Sequence, residues 1–422
     1  MDATKAKFTT LQQICELIPS YLIPKLAKEH NVEEKCRTFG ALSHMVSLVF
    51  AQLSHALSLN DVCDTLENHH GPLNTIRKAT PPARNTLSHA NRNRNPDMAE
   101  ELFWKTKEHL ERQSPLFAEG KRYVALPRRF KRAVHAMDSS TIQLVANCMD
   151  WAKHRRRKAA AKMHLLLNLN GFLPSFVVVD AAKHNDATKA KVLCAKLQAG
   201  EVVVFDKAYN DFGHLAELTE RGVFWVGRAK DNMAFEVVRD LPPSSNPDIL
   251  QDAEIRLTGT KVKAAHPGTF RLVKALVTLE GKREKVEMAF ITNNFEWAAV
   301  SICDLYKARW GIETFFKQLK QTLQLADFLG NNANAIRWQI WTALLTYLLL
   351  RYLAHVGQWG HTFGRLFTLL RGVLWECLDV FALVRSYGTA SSPPKLAARP
   401  DQAYLPGVES WGAAMGQHRT GG

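Results

Sequence analysis

The chain has 422 residues, enough for two or three domains, and its 46% hydrophobic and 23% charged content is that of a soluble globular protein, not a disordered one. Its formal net charge of +15 favours a polyanionic partner, nucleic acid above all, with solubility alone as the plainer reading. The longest apolar run, "IWTALLTYLLLRYLAHV" (340–356), is too short for a bilayer span and is interrupted by Arg351, so it reads as a buried core helix.

In chain order, residues 1–120 read as an all-helical domain, and "MDATKAKFTTLQQ" at its start lacks a signal core, which suggests a cytoplasmic protein. "GALSHMVSLVFAQLSHAL" has apolar residues at helical spacing. "PPARNTLSHANRNRNP" follows a Pro-Pro stop and carries Arg84, Asn85, Ser88, His89, Asn91 and Arg92. These are base- and phosphate-contacting residue types on a short helix, as in a helix-turn-helix reader, although an exposed polar helix accounts for them equally.

From 121 the texture becomes basic and then β. "KRYVALPRRFKR" (121–132) holds six basic and no acidic residues and suits phosphate contact or a solvated linker. "AVHAMDSSTIQLV" reads as a strand containing Asp138. "KHRRRKAAAK" (153–162), with Arg155, Arg156 and Arg157, is a basic loop suited to DNA backbone contact or simply a solvated run. "MHLLLNLNGFLPSFVVVDA" is two apolar runs around Asn170-Gly171, a hairpin signal. A helix follows, then "EVVVFDKAYN", a buried strand ending in Asp206, then a helix closed by Gly222. Residues 223–293 are strand-like and turn-rich, and helices follow from 297 to about 384. The tail after Tyr387 reads as loop. This is the chain order of an α/β protein with an RNase H-like core. The predicted division is 1–120 helical, 121–222 core, 223–293 β-rich insertion, 294–355 the closing part of the core, and 356–422 helices and tail.

The segment "YKARWGIETFFKQLK" (306–320) carries the most specific pattern. At about 100° per residue, with Tyr306 at zero, Arg309, Glu313 and Lys320 fall at about 300°, 340° and 320°, with Lys317 at about 20°. Leu305, Ile312, Phe315 and Leu319 fall on the opposite, core-facing side. A solvated face with Glu–Lys pairs is the simpler account. Against it, a chance match to Tyr-x2-Arg-x3-Glu-x6-Lys in this length is on the order of one in several hundred. The stripe also supplies a third carboxylate beside Asp138 and Asp206.

On these residues the chain resembles the DDE transposases of bacterial insertion sequences, specifically the insertion-sequence-four family with its Y-R-E-K motif. "AMDSSTIQL" and "VVVFDKAYNDF" resemble the family's two Asp strands, and the likeness runs over roughly 38–355. The departures are Lys207-Ala208 where Arg-Gly is common, Asn168 in place of an acid, and Gly227 before the matched Arg228. None removes a carboxylate. The resemblance implies Asp138, Asp206 and Glu313 as catalytic metal ligands for Mg²⁺, with Mn²⁺ as a substitute. It implies DNA contacts by Tyr306, Arg309, Lys317 and Lys320. Trp310 is a candidate to stack on a displaced base or to pack in the core, and Trp225 a candidate stacking residue. The partners implied are double-stranded DNA, as terminal inverted repeats and target, and a second copy of the chain in a paired-end complex. A hairpin intermediate is implied too. Alternatives are an RNase H-fold nuclease without strand transfer and a non-catalytic DNA-binding protein from a decayed element. Seven cysteines without a CxxC pair, and no Gly-rich phosphate loop, point away from zinc and from a nucleotide cofactor.

Overall fold

The structure is a computed structural model and describes residues 5–33, 36, 38–119, 130–144, 153–154, 158–181, 186–278, 284–323, 330 and 332–386. The calls on Arg155, Arg156, Arg157, most of 121–132 and the tail after residue 386 lie outside these residues.

Among the described residues, helices come first: α1 (Thr10–Glu16), α2 (Leu22–Glu29), α3 (Ala41–Ser54), α4 (Leu59–Asn68), α5 (His70–Thr75), α6 (Arg84–Asn93), α7 (Asp97–Gln113) and α8 (Pro115–Glu119). Local chemistry sets several starts. Thr9 caps α1 by accepting from the Gln12 amide, and Ser58 and Asp61 form a reciprocal capping box on α4. α3 is buried nearly all round, as its long apolar sequence requires.

The strands are β1 (Val134–Leu144), β2 (Lys153–His154), β3 (Lys158–Asn168), β4 (Leu173–Ala181), β5 (Val202–Phe205), β6 (Phe224–Arg228), β7 (Phe235–Asp240), β8 (Ile249–Leu257), β9 (Phe270–Thr278) and β10 (Lys285–Thr292). Between them lie α9 (Asp186–Leu193), α10 (Phe212–Glu220) and α11 (Thr260–Ala265). All ten strands form one mixed sheet, ordered β2-β3-β1-β5-β6-β10-β9-β8-β7, with β4 bonded to β3. β1, β5 and β6 are mutually parallel neighbours and the other pairings are antiparallel. The segment 223–293 therefore continues the same sheet through β6, β10, β9, β8 and β7. Two elements there differ from the sequence reading. β7 is an additional edge strand whose half-polar sequence masks its alternation, and "TKVKAA" is helical.

After the sheet come α12 (Ala299–Ala308), α13 (Gly311–Lys317), α14 (Ala333–Val356), α15 (Phe363–Arg371) and α16 (Val380–Ser386). The run 340–356 is indeed a core helix: α14 buries Trp338, Trp341, Leu344, Leu348 and their neighbours against α3, α6 and α7. Among the described residues no single helix is long and apolar enough to cross a membrane.

Strand alternation divides the core between the two sheet faces. Val134, Ala136, Val202, Val204 and Val226 pack with the N-terminal helices and with α12 to α16. Met137, Val203, Phe205, Trp225 and Leu272 pack with α9 and α10 on the other side. Both ends of the described chain meet in the larger helical layer. The amides of Ala6, Thr10 and Leu11 donate to the carbonyls of Cys377, Glu376 and Leu374, each at 2.9 Å.

The predicted hairpin at Asn170-Gly171 is present, but its turn is longer than two residues. Asn168 pairs with Leu173, and the left-handed residue is Phe172 (φ 58°). The glycine answers to a close approach: a Cβ on Gly171 would lie 2.6 Å from the Ala118 carbonyl oxygen. The turn is pinned by the Tyr347 hydroxyl, which donates to the Phe172 carbonyl at 3.0 Å.

Candidate active site

Register brings the first two carboxylates together. Met137 of β1 lies opposite Phe205 of β5, and Phe205 opposite Gly227 of β6. The next residue on each strand is Asp138, Asp206 and Arg228, one row across three parallel strands. β5 and β6 end at this row, where open α/β sheets hold ligands, while β1 runs on past Asp138 to Leu144. Gly227 keeps the row level, since a Cβ there would meet the Phe205 ring. Asp206 opens a short 3₁₀ turn, Lys207–Tyr209, directly after β5.

Glu313 arrives from the helical side, though not on one continuous helix. α12 ends at Ala308, and the amides of Arg309, Trp310 and Ile312 donate three residues back, to Tyr306, Lys307 and Arg309, at 2.9–3.2 Å. The chain then resumes as α13 and widens into a π-helical turn, Gln318–Thr322. The single straight stripe expected from the sequence is thus tightened at Arg309 and loosened before Lys320, departures that recur at functional sites. The core-facing residues behave as expected: Leu305, Ile312, Phe315 and Leu319 are fully buried.

Two of the motif residues, Tyr306 and Arg309, hold the carboxylates, while Lys320 holds the β1 backbone. The Tyr306 hydroxyl donates to Asp206 Oδ1 at 3.1 Å. Arg309 donates from Nη1 to Asp138 Oδ2 at 3.3 Å and from Nη2 to Glu313 Oε1 at 2.8 Å, and its guanidinium lies 5.4 Å from the Tyr306 ring centre. Lys320 Nζ donates to the Thr141 carbonyl of β1 at 2.7 Å, which ties the π-helical turn to the first Asp strand. Burial raises the Tyr306 hydroxyl to about 12. Burial also lowers the Lys320 ammonium.

Asp138 is the electrostatic centre. Burial pushes its carboxyl up to about 6; the Ser139 amide and Arg309 oppose the rise, while Glu313 and Asp206 add to it. Among the described residues no three His, Cys, Asp or Glu side chains lie close enough together to share one ion. Arg309 instead bridges two of the carboxylates. Asp138 feels the charge of both other carboxylates, and the one buried guanidinium pairs with only two of the three. Their hard oxygen donors fit a divalent cation such as Mg²⁺ or Mn²⁺.

Other expected residues fall as follows. Lys317 is exposed on α13, and Trp310 is partly buried at the break before it. Arg84 and Arg92 are exposed on α6, but Asn91 of that helix is buried and holds His44 at 2.7 Å. Trp225 is a correction. It is fully buried against Phe205 and Phe270, and its indole N–H donates to Thr219 Oγ1 at 2.9 Å, so it presents no face to a base. Residue type alone had suggested the role. The sequence reading gave no role to Arg228 or Lys207. The available signal was that "VFWVGR" ends in a charge as "VVVFD" does. Lys207 pairs with Asp231 at 2.8 Å beside this row.

A model of the transposase DDE domain matches residues 129–349, and a model of a domain of unknown function matches residues 7–76. The chain is 32% identical to a Sinorhizobium fredii protein named as a transposase, over 62% of this chain and 73% of that one. It is 27% identical to a Geobacillus stearothermophilus protein named as an insertion-sequence transposase, over 53% of this chain and 58% of that one. With the Escherichia coli transposase InsG of insertion sequence element IS4 it shares 23% identity, over 45% and 43%. In shape it is similar to a piggyBac transposase synaptic complex with hairpin DNA, at a TM-score of 0.43 and 11% identity over 88% of this chain and 78% of that one.

Proposed function

Because the chain belongs to the DDE transposase family, whose members cut and join DNA, we propose that Asp138, Asp206 and Glu313 are its catalytic carboxylates. The protein is a DNA transposase of a bacterial insertion sequence. In this reading 121–222 and 294–355 form an RNase H-like core, 223–293, with β6 to β10, is its insertion, and α1 to α8 are the domain that grips element ends. The three carboxylates hold divalent cations, Mg²⁺ or in its place Mn²⁺. Bound there, such ions supply charge stabilisation to the oxygens of an in-line phosphodiester displacement.

The chain's own residues bind and orient the DNA. Arg228 and Lys207, beside Asp206, suit the phosphate flanking the scissile bond, Arg as a fork and Lys as a point charge. Lys317 at the end of α13 and Lys320 in the π-helical turn extend that contact, and Trp310 stacks on a displaced base. Tyr306 holds the Asp206 carboxylate in place. Arg84 and Arg92 on the exposed face of α6, and the basic run with Arg155, Arg156 and Arg157, take backbone phosphates. In the first cut a water oxygen bonds to phosphorus and the 3′-oxygen leaves as a hydroxyl. That hydroxyl then attacks the opposite strand, displacing the flanking strand's 3′-hydroxyl and closing a hairpin; a second water opens the hairpin and regenerates the 3′-hydroxyl, which attacks a target phosphodiester and displaces a 3′-hydroxyl there. Two copies of the chain acting on paired ends complete the proposal.

The observation that supports this reading most directly is that Arg309 bridges Asp138 and Glu313, from two separate elements, while Tyr306 of the same motif bonds Asp206 on the neighbouring strand row. The test is cleavage of a labelled duplex carrying the inverted repeat that flanks the gene. Wild type cuts at the end with Mg²⁺ and not with EDTA. Glu313→Ala binds the duplex in a gel shift but cuts roughly a thousandfold more slowly or less, a loss of several kcal/mol of transition-state stabilisation. Binding without cutting by wild type, with either metal and with paired ends, would instead mean a DNA-binding remnant of a decayed element.

A further inference from the structure

The buried guanidinium of Arg309 does more than line the site. Arg309 is 7% exposed, yet its charge is matched only inside the site, by Asp138 through Nη1 and by Glu313 through Nη2. The third carboxylate is reached through Tyr306, whose ring lies beside the guanidinium and whose hydroxyl donates to Asp206. Arg309 Nε is buried with no hydrogen-bond partner, so the group is held by the two carboxylates and not by the scaffold. It stands at the break between α12 and α13.

We propose that Arg309 is an exchangeable internal counter-ion: it holds Asp138 and Glu313 together in the metal-free protein, and a divalent cation must displace it from at least one of them. The inference rests on the assignment of these carboxylates as metal ligands. The oxygens that accept from the fork, Asp138 Oδ2 and Glu313 Oε1, are then oxygens an ion would claim. A phosphodiester offers the displaced guanidinium two free oxygens that share one negative charge and suit its fork, so entry of DNA favours release of the carboxylates. Metal and DNA then load together, and the empty enzyme binds metal weakly.

The experiment measures Mn²⁺ binding to DNA-free protein by electron paramagnetic resonance of the free ion. Wild type is compared with Arg309→Lys, Arg309→Gln, Lys317→Gln and Asp138→Asn, each checked by a melting curve. Lysine keeps the charge but cannot fork between two carboxylates. Arg309→Lys is expected to bind Mn²⁺ roughly tenfold tighter than wild type, the equivalent of about 1.4 kcal/mol. Arg309→Gln should show at least that gain, while Lys317→Gln, which removes an exposed charge nearby, should show a much smaller one. Should Arg309→Lys fail to fold, the contrast between Arg309→Gln and Lys317→Gln decides. If neither Arg309 variant binds more tightly than its control while Asp138→Asn still abolishes binding, the counter-ion role is wrong and the carboxylate assignment survives. If Asp138→Asn binds Mn²⁺ like wild type, the carboxylate assignment falls, and this inference with it.

Discussion

His44 shows how a single side chain far from the carboxylates sets a property of the whole chain. It is fully buried in α3, between Phe39 and Trp338, and its Nε2 faces Asn91 Oδ1. Burial lowers its imidazole to about 3, and the nearby charge of Arg94 lowers it further than the Asn91 contact restores. The unfolded chain keeps the ordinary value of 6.5, so between these two values the unfolded state takes up a proton that the folded state refuses. Stability from this group is therefore complete above the unfolded value and is lost as pH falls toward the folded one. Urea unfolding at pH 7 and pH 5 should show a contribution of up to about 2 kcal/mol lost at the lower pH. His44→Gln should lack that contribution, and an equal pH dependence in wild type and variant would refute the assignment. The same residue explains why Asn91 could not be read correctly from sequence. It lies among Arg84, Asn85, His89 and Arg92, but helical geometry turns it inward while they stay exposed.

At the level of elements, what the sequence revealed and what it hid follow from the range of the forces involved. Strands that end in a charge were legible because a buried β-branched run and a terminal Asp are local features, as at "VVVFD". The break at Arg309 and the π-helical turn were not legible, since no proline marks them. They form where Arg309 meets Asp138 on β1 and Lys320 meets Thr141, contacts more than 170 residues apart in sequence. Trp225 and β7 failed in opposite ways. One is a core residue of a type often found at interfaces, and the other an edge strand exposed along nearly its whole length. The hairpin turn is a case where local and distant causes overlap. Asn170-Gly171 signals a turn, yet the glycine is required because α8 crosses close by. Gly171→Ala should cost about 1–3 kcal/mol through that overlap, even though its backbone angles accept alanine. A melting temperature unchanged from wild type would show that α8 yields instead.

For the molecule as a whole, the parts named from the sequence are not independent bodies. The N-terminal helices, α14 and one face of the sheet share a single apolar core, and the match to a separate domain model over 7–76 lies within it. Leu344 on α14 is fully buried in that core. Leu344→Ala should cost about 2–5 kcal/mol. It should lower the helical and the tryptophan-fluorescence transitions together, because the two probes report one cooperative layer. Separate shifts of the two probes would mean that the N-terminal helices unfold on their own.

The pairing of Ala6, Thr10 and Leu11 with the segment 374–377 also has a consequence in time. Thr10 and Glu376 are 366 residues apart, and a ribosome adding about 5–20 residues per second needs roughly 20–70 s to make that span. The helices that emerge first must wait that long for the turn 374–377 that closes them. Until then they offer apolar surface to chaperones and to one another. Closure of the N-terminal helices is therefore among the last folding events of the described chain.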